Sequence, residues 1–77
     1  MKIVVYPNPS DNFIKIESPK EIKNMAVFNS NGQLIENTEI NMSTKTVDFS
    51  KVANGIYLIK IVTTSNTFNQ KVIINNH

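Results

Sequence analysis

Apolar and β-branched residues come along this chain in short runs, each bounded by Pro, Asn, Ser, Gly or Asp. Those bounding residues favour turns for separate steric and hydrogen-bonding reasons. The runs predict seven strands: Lys2 to Tyr6, Phe13 to Glu17, Ile22 to Phe28, Gln33 to Glu36, Lys45 to Phe49, Ile56 to Thr63 and Thr67 to Ile74. No window of helical length places apolar residues at i, i+3, i+4 and i+7, and Ile, Val and Thr dominate the candidate core. The pattern predicts an all-β domain.

Periodicity separates central strands from edges. Ile14 and Ile16 alternate with Lys15 and Glu17, which predicts one dry face and one wet face. Ile56 to Val62 is apolar on both alternations, broken only by Lys60, and is the best candidate for a central strand. With Tyr57, Ile59 and Ile61 pointing inward, Ile56, Leu58 and Val62 form an outer stripe that needs cover or a partner. The last run divides likewise, with Gln70, Val72 and Ile74 on one face and Lys71 and Ile73 on the other. Asn29-Ser30-Asn31-Gly32-Gln33 is the clearest hairpin signal, where Gly32 would supply the positive φ of a type I turn with a G1 bulge. Glu36 to Thr44 is polar and weakly patterned, and the longest loop is expected there.

Length bounds the architecture. Seventy-seven residues make one domain with a thin core. With 40% hydrophobic and 18% charged residues the composition is that of a folded globular domain. No cysteine is present, which removes disulfides, Cys-based zinc sites and thiol nucleophiles. All eight basic residues are lysines, scattered among six acids for a net charge of +2, without the clustered cations and stacking aromatics of a nucleic-acid site. No apolar run approaches the ~20 residues that span a bilayer. No signal peptide is visible, so the sequence reads either as cytoplasmic or as a piece from the end of an exported protein; Met1 reads as native or as an added start, and the Asn75-Asn76-His77 tail as native or added.

Candidate chemistry is sparse. The one histidine, His77, is terminal, so no Ser-His-acid arrangement can be assembled, and the acids show no spacing that suggests a shared site. The chain is read as non-enzymatic, with no cofactor. Asp11-Asn12 could offer oxygens to calcium, but six to eight ligands are needed and an Asx turn explains the pair.

Tyr6-Pro7-Asn8-Pro9 reads physically as a rigid, extended turn, because each proline fixes its own φ and biases its predecessor toward extended geometry. Taken in order, Val5 to Pro9, Ala26 to Ile35 with its Asn-Gly turn, Val47 to Ser50 leading to Gly55-Ile56-Tyr57, and Lys71 to Ile74 resemble the C-terminal sorting domain of the type IX secretion system, type A. Asn29 stands where the family usually has aspartate or a related residue, and Gln33 where it often has a basic residue.

The resemblance implies an immunoglobulin-like antiparallel β-sandwich of about seven strands, spanning residues 1–77 as a single C-terminal domain of a larger exported protein. It implies passage through the periplasm to the cell surface, with an outer-membrane translocon and a shuttle protein as partners. A sortase-like cysteine peptidase would then remove the domain and leave the N-terminal cargo on surface lipopolysaccharide. Translocon recognition is expected at Gly55, Tyr57, Lys71, Val72, Ile73 and Ile74, whereas Tyr6, Pro7, Asn8, Pro9 and Gly32 are motif positions with a mainly structural role. Several of these also have plain folding roles: Gly55 permits a backbone angle, Tyr57 anchors the core, and Lys71 protects an edge strand. The rival reading is a non-sorting immunoglobulin-like or fibronectin-like module for carbohydrate binding or domain spacing. Exposed edges also suggest edge-strand self-association.

Overall fold

In a computed structural model, residues 3–6 and 12–75 are described. They form five strands: β1 (Val4–Tyr6), β2 (Phe13–Asn29), β3 (Leu34–Asp48), β4 (Gly55–Thr63) and β5 (Thr67–Ile74). Every pairing is antiparallel, in the order β1-β2-β4-β5 with β3 on the other edge of β2. The all-β class read from the sequence is the one found.

The strand count is five rather than seven because two pairs of expected strands are continuous. Phe13 to Glu17 and Ile22 to Phe28 both lie in β2, and Gln33 to Glu36 merges with Lys45 to Phe49 in β3. The loop expected over Glu36 to Thr44 is therefore strand. Its polarity misleads because β3 is an edge. Backbone pairing with the apolar β2 holds it extended, from Phe28 opposite Leu34 to Phe13 opposite Asp48. Of its middle residues, Ile40 packs against the core.

Two irregularities let one long hairpin serve two layers. Between the pairs Glu17–Thr44 and Ile22–Met42, residues 18–21 of β2 face Ser43 alone. Pro19 sits in that excess, where its missing N–H takes nothing from the ladder. One step on, Ile40 and Asn41 oppose Lys23, and Asn41 takes the left-handed conformation at φ 57° that asparagine tolerates. Bulges bend a strand and tighten its twist. The hairpin accordingly contributes to a small layer with β1, which pairs with Lys15 to Glu17, and to a larger layer with β4 and β5.

The core fills the space between the layers. Ile14, Ile16 and Val47 come from the small layer, and Met25, Val27, Ile59, Ile61, Val72 and Ile74 from the large one, all nearly or fully buried. Burying each such side chain contributes about 1.5–3 kcal/mol, far more than any strand propensity. The buried polar Thr63 is satisfied in the β4–β5 turn: its hydroxyl donates to the Asn66 carbonyl at 3.1 Å and accepts from the Asn66 amide at 3.0 Å.

Candidate recognition face

β4 shows how one alternation makes a core and a surface together. Tyr57, Ile59 and Ile61 point inward and are buried, while Ile56 and Leu58 point outward and remain 47% and 40% exposed. Val62, the third residue of the expected outer stripe, is half-buried. On β5, Val72 and Ile74 are buried, and Lys71 and Ile73 are exposed. Of the residues expected to meet a translocon, Lys71 and Ile73 are thus presented to solvent. Tyr57, Val72 and Ile74 belong to the core.

The antiparallel register brings Leu58 opposite Lys71 and Ile56 opposite Ile73. On the other side, Leu58 is opposite Phe28, and Phe28 is opposite Leu34. A row of three apolar side chains ending in a lysine therefore crosses the outer face of the large layer. Together with the β2–β3 hairpin, the β4 and β5 residues of this region enclose a groove of about 460 Å³, lined by Phe28, Ser30, Gly32, Ile56, Leu58 and Lys71 among others. Phe28 was not singled out as a surface residue from sequence. The signal was present, since Met25-Ala26-Val27-Phe28 is apolar on both alternations, as β4 is.

The hairpin that walls this groove is built as its residues predict. The Asn29 carbonyl accepts from the Gly32 amide at 3.0 Å, the Asn29 amide donates to the Gln33 carbonyl at 3.0 Å, and Gly32 sits at φ 80°. This is the type I turn with a G1 bulge. Asn29 Oδ1 also accepts from the amides of Asn31 and Gln33, both at 3.0 Å, and Asn29 Nδ2 donates to Gln33 Oε1 at 3.1 Å. The asparagine and glutamine at the two positions that depart from the family pattern are thus mutual partners.

At the start of β4, beside the groove, Gly55 adopts φ 156°, a conformation that side chains disfavour, although nothing would crowd a Cβ there. That turn precedes Tyr57, whose hydroxyl donates to the Ala53 carbonyl and whose ring lies 5.5 Å from that of Phe49. Both Gly55 and Tyr57 therefore have complete structural explanations.

Tyr6 lies elsewhere, on β1, where its hydroxyl donates to Glu17 Oε2 at 2.9 Å. That carboxylate also meets Lys15 Nζ at 3.4 Å. The hydrogen bond to Glu17 holds the Tyr6 hydroxyl above its usual pKa of 10.0. Pro7, Asn8 and Pro9 lie outside the described residues, as does Asp11 of the weighed calcium pair. Among the described residues, no three His, Cys, Asp or Glu side chains gather in a way that could hold a metal.

Residues 4–75 match the secretion system C-terminal sorting domain family, a span that covers every strand of the fold. A comparison with curated proteins found no match.

Proposed function

We propose, from the premise that this chain belongs to the secretion system C-terminal sorting domain family, that it directs the protein carrying it across the outer membrane by type IX secretion and is then removed. The carrying observation is the family match over residues 4–75. A sorting signal is not itself a catalyst; in this reading the domain is a ligand for the translocon and a substrate for a peptidase.

The working surface is the outer face of the large layer. Fold alone does not assign a use, but an apolar row left uncovered beside a lysine is surface a partner can bury. Lys71 and Ile73 meet the translocon or its shuttle protein directly. Gly55, Tyr57, Val72 and Ile74 act by holding β4 and β5 in register beneath that surface. Once across, a sortase-like cysteine peptidase releases the domain and joins the cargo to surface lipopolysaccharide.

A fluorescent reporter placed behind a signal peptide and ahead of this domain, expressed in a bacterium with type IX secretion, tests the reading. Reporter at the cell surface or in the medium, with the domain absent from the mature product, is the expected result. Reporter held in the periplasm overturns the sorting role. Surface reporter still carrying the domain overturns the cleavage step alone.

A further inference from the structure

The outer face of the large layer has a charge pattern as well as an apolar one. β4 and β5 contain Lys60 and Lys71 and no acid. The acid of this face on β3, Glu39, stands opposite Asn24, with the Met25, Ala26 and Val27 pairs between it and the pair of Phe28 with Leu34. Lys71 is the one charged side chain among the described residues that line the groove. The rest of the wall is Phe28, Ile56 and Leu58, with Ser30 and Gly32 of the hairpin at one side.

We propose that this groove receives an acidic-apolar element of a protein partner: one apolar side chain seated against Phe28, Ile56 and Leu58, and a neighbouring carboxylate paired with Lys71. The proposal rests on the sorting reading and names the chemistry that a component of the secretion machinery must present. Three features support it. A concavity of about 460 Å³ accommodates an inserted side chain, which a flat sheet face does not. Lys71 stands directly across the strand pair from Leu58, so one short element reaches both. Seating the apolar side chain also excludes water from the ammonium, which strengthens its attraction for a carboxylate.

An anionic membrane would satisfy a lysine too. Among the described residues, the two lysines of β4 and β5 fall short of the four to eight that make a polybasic lipid site, however, and a headgroup layer does not enter a concave groove. A protein is therefore the occupant the surface fits.

The test uses the reporter fusion with five versions of the domain: wild type, Leu58→Asp, Lys71→Glu, Lys71→Arg and, as a control at the corner of β2, Lys20→Glu. Secretion of L58D and K71E should fall by about tenfold or more, the effect of losing a central interface side chain, while K71R and K20E stay near wild type. Melting temperatures of the purified variants establish that each folds, and L58S or K71Q replaces any that does not. If wild type itself stays in the periplasm, the sorting reading falls and the groove proposal with it. If wild type is secreted and L58D matches it, only the groove proposal is overturned. Loss with L58D but not with K71E removes the carboxylate and overturns the stated partner chemistry. Purified domain that sediments with phosphatidylglycerol vesicles, and ceases to when Lys71 is reversed, gives the groove to lipid and likewise overturns the proposal.

Discussion

The Tyr57 hydroxyl donates a hydrogen bond to the carbonyl of Ala53, four residues upstream. This tyrosine corner is a recurrent device of immunoglobulin-type sandwiches, closing the turn that leads into a central strand. Here it is backed by the Phe49 ring, and Phe49 is itself anchored by its amide donating to the Asn12 carbonyl at 2.7 Å. Removing the hydroxyl by Tyr57→Phe should cost about 1 kcal/mol, because the exposed Ala53 turn can rehydrate its carbonyl. Tyr57→Ala also removes the buried ring and should cost about 3–5 kcal/mol. Urea unfolding of the three proteins measures both, and equal losses would mean that the buried ring adds nothing beyond the hydroxyl's hydrogen bond.

Gly55 and Gly32 test the backbone separately from packing, since neither would crowd a Cβ. Gly55→Ala should destabilise by about 1–3 kcal/mol through conformational strain alone. Gly32→Asn should cost less than Gly32→Ala, because asparagine enters the left-handed region more readily. The order of the three melting temperatures checks this.

Neighbouring residues of β4 should respond in opposite ways. Ile59→Ala opens a cavity at a fully buried site and should cost about 2–5 kcal/mol. Leu58→Ser, one residue away on the outer face, should change stability by no more than about 0.5 kcal/mol. Any loss of secretion in the latter variant then reports docking rather than folding.

Two groups give pH dependence of opposite sense. Hydrogen bonding from Ser50, through its hydroxyl and then its amide, holds the Asp48 carboxyl below 3.8. Its contribution is fully present above that value and is lost as pH falls through the lower folded value. Asp48→Asn should flatten the acid side of the stability profile. For Tyr6 the folded pKa is raised, chiefly by the hydrogen bond to Glu17, so its contribution is present below 10.0 and lost as pH rises past the folded value. Tyr6→Phe should remove that alkaline loss. Melting temperature against pH for both variants decides each case.

Much of this architecture was legible in the chain. Period-two alternation at Ile14–Glu17 and the two-sided apolar run at Ile56–Val62 assigned inward and outward faces correctly, and Asn31-Gly32 marked the hairpin with its turn type. Continuity of β3 was not legible, because an edge strand held by its neighbour's backbone needs no alternation of its own. The groove was half legible. Leu58 and Lys71 stood out as an uncovered apolar residue and a strand lysine, but their alignment with Phe28 depends on a β2–β4 register fixed by pairings some thirty to forty residues apart in sequence.

Strands β2 and β3 each pass through both layers. Opening of one layer should carry the other with it, for the same two strands and one shared core join them. Amide exchange at Ile16 and at Val27 should therefore report one common opening event. A partner gripping the outer face of the large layer, as proposed, would then find that face intact only on a chain whose smaller layer has folded too.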